Sequence, residues 1–137
     1  MMISLDDHII NCMNYRFKFG ANDCVLFTGK YFSQKGAPVF KVIKKNIDIS
    51  LKNWPKSVEE LEAVASKYGF ENISEMHISL IKKMGFKKAE SPKNGDLILD
   101  TEKHMLGLGW KGGGAFLSSE DGIVVSNRHF NHRWTYS

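Results

Sequence analysis

Two periodicities divide this chain, and their order limits the folds open to it. Up to about Met84 the apolar residues recur at helical spacing. From Gly95 onward they come in short β-rich runs, "GDLILD", "MLGLGW", "GAFLSS", "GIVVS" and "RWTYS", parted by glycine or polar turns. "KGGG" and "SEDG" suit tight hairpin connections. Helices first and hairpin-linked strands afterwards predict an α+β fold, with N-terminal helices packed on a C-terminal antiparallel β-meander.

The helices announce their ends. Ser4 and Asp7 mark a first helix running to about Asn14, with Ile9, Ile10 and Met13 as its apolar stripe. Asn22 and Asp23 are cap residues for a second, from about Cys24 to Ser33, that buries Leu26, Phe27 and Tyr31 and stops before Gly36 and Pro38. The stretch from Val39 to Pro55 reads as a short helix plus loop. Ser57 and Glu60 form a capping box for a helix with Leu61, Val64, Ala65 and Tyr68 on one face and Gly69 at its end. A further short helix covers Ser74 to Met84, closed by Gly85. No repeat, low-complexity tract or linker interrupts the 137 residues, so residues 1–137 are expected to form one domain.

Composition narrows the class. Hydrophobic content of 42% and charged content of 25% are those of a globular chain. No apolar run is long enough for a membrane span, and "MMISLDDHII" has acidic residues where a secretory signal carries Lys or Arg, so synthesis and folding in a cytosol are expected. The net charge of +4 comes mostly from lysine, in clusters such as "KVIKK" and "KKMGFKK". These read first as a solubilising face and second as an attraction to a polyanion, nucleic acid or bacterial cell wall. Few arginines and no nucleic-acid-binding motif make nucleic acid the weaker partner.

Cys12 and Cys24 are the only cysteines. Two cysteines without an export signal argue against a structural disulfide, and their spacing, with no histidine pair nearby, argues against zinc. No metal or cofactor is expected. Cys12 falls inside the first helix as packing. Cys24 opens the second helix, where unpaired N–H groups and the helix dipole would lower a thiol pKa and could face an oxyanion. Position alone leaves it as either a core residue or a nucleophile. His8 and His77, on predicted helices, read as surface or half-buried; His129 and His132 lie in a terminal loop with no third ligand. Phe17, Phe19 and Trp110 are candidates for a substrate groove or for the core. Asp23 reads as a helix cap that also stiffens the loop, and Asp96 as the end of a turn.

The segment "FKFGANDCVLF", an aromatic-Gly loop and Asp-Cys before a helix, resembles the nucleophile segment of NlpC-type papain-like cell-wall peptidases. "GDLIL" is similar to their Gly-Asp-hydrophobic strand, and "HMLGLGW" to the strand that carries their catalytic base. With "DGIVV" and the late "RW", the chain from about residue 5 to its end resembles small NlpC-like proteins encoded in bacteriophage tail gene clusters. The resemblance implies a papain-like core, a helix carrying Cys on an antiparallel sheet carrying His. It also implies a hydrolase of peptide or amide bonds in peptidoglycan stem peptides, carried in the phage tail with other tail proteins as partners. Cys24 would be the nucleophile, His104 the base and Ser118 the nearest candidate for the third, orienting residue, with Asp23, Phe19 and Trp110 beside the substrate. The pattern departs at the base: aligned on Gly107, the family's histidine falls at Met105, and His104 lies one residue early, which in a strand means the opposite face unless a bulge re-aims it. Loss of the histidine, seen within the phage-tail group, would leave a degenerate domain acting as a structural or assembly component of the tail tip.

Overall fold

The computed structural model describes residues 3–13, 17–19, 22–118 and 122–136, with Ser118 described by its backbone alone. Among the described residues five helices precede the main sheet: α1 Leu5–Cys12, α2 Cys24–Ser33, α3 Val39–Ile47, α4 Val58–Lys67 and α5 Ile73–Lys83. The strands are β1 Lys87–Lys88, β2 Leu97–Asp100, β3 Met105–Trp110, β4 Gly113–Ser118, β5 Gly122–Ser126 and β6 His132–Thr135. The fold is therefore α+β, and the pairings found between the strands are antiparallel.

Local chemistry sets most of these bounds. Ser4, Asp23, Ser57 and Asn72 each sit in extended backbone and accept an N–H from the first turn of α1, α2, α4 and α5. Gly69 and Gly85 end α4 and α5 with φ of 84° and 90°, a left-handed conformation that costs glycine little. In α3 no side chain caps the start at Pro38; its amphipathic pattern buries Val39, Ile43 and Ile47 against the core. No helix among the described residues is long and apolar enough to cross a membrane.

The sheet order is β1-β6-β2-β3-β4-β5, so the expected meander holds from β2 to β5 but not beyond. β6 leaves β5, returns to the far side of β2, and there pairs also with β1. The β3–β4 hairpin turns on Lys111 and Gly112, both with positive φ, as a two-residue loop of the primed kind requires.

Alternation along β3 gives the sheet two faces. Leu106, Leu108 and Trp110 belong to the main core, which they share with Leu26, Phe27, Phe32 and Leu80 of the helices. Met105 packs on the other face with Ile98, Phe116 and Phe130. Glycine makes room there: a Cβ on Gly107 would lie 2.5 Å from Phe116, and one on Gly114 2.1 Å from Ile98. The same face holds a buried ion pair. Arg133 Nε and Nη2 each lie 3.2 Å from Asp96 Oδ2, and Asp96 Oδ2 also accepts from Lys93 N. Asp96 thus does more than end a turn. A Cβ on Gly109 would lie 2.7 Å from Arg133 Nη2, so the motifs "GDLIL", "LGLGW" and "RW" meet at one buried contact.

Candidate functional site: a cavity between Cys24 and His77

Cys24 is the first residue of α2, and α2 packs on β3. Its cap, Asp23, is 3% exposed; Oδ1 accepts from Leu26 N at 2.9 Å and Oδ2 from Trp54 Nε1 at 2.7 Å. The cap therefore also ties the loop after α3 to the cysteine. Ahead of it, Lys18 and Asn22 exchange backbone hydrogen bonds, which draws Phe17 and Phe19 together edge to face.

Position at a helix start does not activate this thiol. Although the residue is half-buried, removal from water pushes its pKa up to about 11, and the Asp23 carboxylate pushes the same way. Hydrogen bonding with the backbone of Leu106, Cys24 and Val25 pulls down without prevailing. Among the described residues no histidine is among its partners.

His104 lies outside β3, which corrects the expectation of a strand residue. It is the last residue of the turn at 101–104, with φ of 56°, and its Nδ1 is 2.6 Å from Ser74 Oγ on α5. The bond fastens the turn to α5 and explains how a non-glycine residue is held in left-handed backbone. Met105, the position matched by alignment on Gly107, faces the Ile98–Phe116–Phe130 cluster, so the β3 residue that meets Cys24 is Leu106.

Of the two readings open to Trp110, groove or core, the structure places it in the core. It is 7% exposed, and its Nε1 donates to Asp6 Oδ1 at 2.8 Å, which docks α1 on β3. Ser118 closes β4, but its side chain lies outside the described residues. Phe19 is half-buried and lines the same cavity as Asp23 and Cys24. Among the described residues no group of three His, Cys, Asp or Glu side chains could hold a metal ion.

That cavity, of about 70 Å³, runs between α2, α3, α5 and β3. Its walls are almost wholly apolar, with Val25, Ile43, Trp54, Leu80 and Leu106 among them. Its unexpected member is His77. Neither His77 nor His8 is at the surface or half-buried, as their helix positions had suggested: they are buried, 4% and 8% exposed. His8 Nε2 pairs with Phe27 O at 2.8 Å, pinning α1 to α2. His77 Nε2 is buried without a hydrogen-bond partner among the described residues, and burial, aided by His104, lowers its pKa to about 4. The sequence held a sign of this, because His77 stands on the stripe of Ile73, Met76, Leu80 and Ile81, all buried. A wider groove of about 770 Å³ lies on the other side of Trp54, floored by Leu26, Phe40 and Trp54 and edged by Lys30, Lys44 and Lys52.

A scan against protein-family models, a search of curated proteins and a search of solved structures each return no match to this chain.

Proposed function

We propose that the chain is a small NlpC-like domain of a bacteriophage tail, with the papain-like arrangement of a cysteine helix on an antiparallel sheet, that acts as a structural or assembly component of the tail tip. Peptidoglycan cleavage is not its task in this reading. The observation that carries the proposal is the state of Cys24: its thiol is held protonated by burial and by Asp23, and no imidazole is bonded to it. A nucleophile of this class needs the reverse, a lowered pKa or a base within hydrogen-bonding reach. His104, the base that the NlpC resemblance nominates, is bonded instead to Ser74.

Iodoacetamide labelling, followed by mass spectrometry from pH 6 to pH 11, tests this. With a pKa near 11 instead of 9.0, the thiolate fraction at pH 8 falls about 100-fold, and Cys24 should label far more slowly than glutathione. Labelling at pH 6 faster than glutathione would overturn the proposal in favour of the hydrolase. Absence of the chain from both purified phage particles and their tail precursors would overturn the tail role.

The hydrolase reading has one feature in its favour: Cys24 begins α2, and the start of a helix is where main-chain N–H groups can serve an oxyanion. Attack on a stem-peptide carbonyl would require the His104 ring to leave Ser74 and reach the thiol.

A further inference from the structure

We infer that this chain pairs with a second copy of itself, the acidic outer face of α4 on one copy seating in the lysine-edged groove beside Trp54 on the other. The groove, of about 770 Å³, has an apolar floor of Leu26, Phe40, Ile49 and Trp54. Its rim carries Lys30 from α2, Lys44 from α3 and Lys52 from the loop after α3. That loop is held in place: Ser50 N donates to Asn53 Oδ1 at 2.7 Å and Asn53 Nδ2 to Asp48 O at 2.9 Å. It presents Leu51, 68% exposed, at the edge of the groove. Lys44 is paired with Asp48, but for Lys30 and Lys52 no salt bridge is found among the described residues. An apolar floor edged by cations calls for an occupant with an apolar contact and carboxylates beside it.

The chain itself carries such an element. α4 is the least buried helix: Ala65 alone is buried in it, whereas each of the other four buries at least three residues. Leu61 and Val64 pack against the core, which turns Glu59, Glu62 and Ala63 to solvent, and Val58 at the start of the helix is 49% exposed. For Glu59 and Glu62, too, no salt bridge is found among the described residues. The short side chain of Ala63 lets this face lie close in a groove, the way a helix docks on an apolar cleft.

Both halves belong to one region of the surface. Trp54 walls the groove and Val58 opens α4 four residues later, at most about 14 Å along the chain. A patch that holds a groove and its own occupant side by side is self-complementary, so a two-fold axis lets each copy fill the other's groove. The rim charges set orientation and salt dependence, and the apolar contacts of Leu51, Val58 and the floor supply affinity. An interface built on one groove and one short helix belongs to the small, transient class, with a Kd on the order of 10 µM or weaker. The inference goes beyond the proposed function and is independent of the state of Cys24.

Sedimentation velocity of the full chain across a concentration series tests it, with circular dichroism to confirm that each variant folds. The parent should pass from monomer to dimer as concentration rises. Raising the salt from about 0.05 M to about 0.5 M should weaken the dimer severalfold, because exposed charges are screened. Lys30→Glu with Lys52→Glu, or Glu59→Lys with Glu62→Lys, should weaken self-association at least roughly tenfold, because like charges then meet. Mixed in equal amounts, the two double variants should form a heterodimer, since each carries the charges that the other's surface then needs. A parent that stays monomeric throughout would overturn the inference and leave the groove to a partner of another kind. A dimer that neither charge reversal weakens, or double variants that fail to pair when mixed, would overturn it equally.

Discussion

His77 and Cys24 face the same cavity, and burial drives each towards its neutral form, the imidazole by lowering its pKa to about 4 and the thiol by raising its own to about 11. For His77 the folded value lies below the ordinary 6.5, so the unfolded chain takes up the proton first as pH falls. The stability it contributes is complete above pH 6.5 and is lost between there and about pH 4, by up to roughly 3 kcal/mol. His77→Leu should flatten that part of the pH profile relative to the parent, as read by urea midpoints at pH 7.5, 5.5 and 4.5; parallel profiles would refute it. Asp23 acts on the thiol through its charge. Asp23→Asn can accept from only one of Leu26 N and Trp54 Nε1, so it should lose about 1–2 kcal/mol of stability. Yet it should quicken iodoacetamide labelling of Cys24 by a factor on the order of 3, because a charge that raises the pKa is gone. Unchanged labelling would assign the raised pKa to burial alone.

At the scale of elements, what could be read in advance was what neighbours in sequence decide. The caps at Ser4, Asp23 and Ser57 and the stops at Gly69 and Gly85 are local hydrogen-bond and backbone events, and the helices they bound were legible to within a few residues. α3 was only half legible because no side chain caps its start. β1 was not legible at all: Lys87 and Lys88 are extended only because Thr135 and Trp134 lie opposite them. The glycines of β3 are a special case. Gly109 reads as a strand-weakening residue, but it faces Arg133 Nη2, Lys93 O and Asp96, where no side chain fits. Gly109→Ala should therefore cost about 2–3 kcal/mol, whereas Gly112→Ala, with nothing near its Cβ but φ of 81°, should cost about 1 kcal/mol. Chemical denaturation of the two variants compares them, and an equal loss would contradict the close approach.

Across the whole molecule, the Asp96–Arg133 pair ties β2 to β6 beneath the sheet, with side-chain exposures of 2% and 4%. Removing one partner strands a buried charge, so Asp96→Leu or Arg133→Met alone should cost about 3–5 kcal/mol. The double variant should recover most of that, because two apolar side chains need no partner. Additive losses in this cycle, measured by urea unfolding, would show that the pair contributes little. Through the same tie, residues far apart in sequence close the sheet that carries β3 under Cys24.

By itself the sequence determined the α+β class, the ends of most helices, the strand runs and the place of Cys24 at a helix start, because periodicity, capping and turn chemistry act within a few residues. Only the tertiary structure decided that β6 returns beside β2, that His104 turns to Ser74, that Trp110 and Asp96 are buried and bonded, and that His77 reaches the cavity of Cys24. Each of these depends on which distant segment lies opposite, and so does the thiol's pKa, which is set by burial more than by its place at the start of a helix.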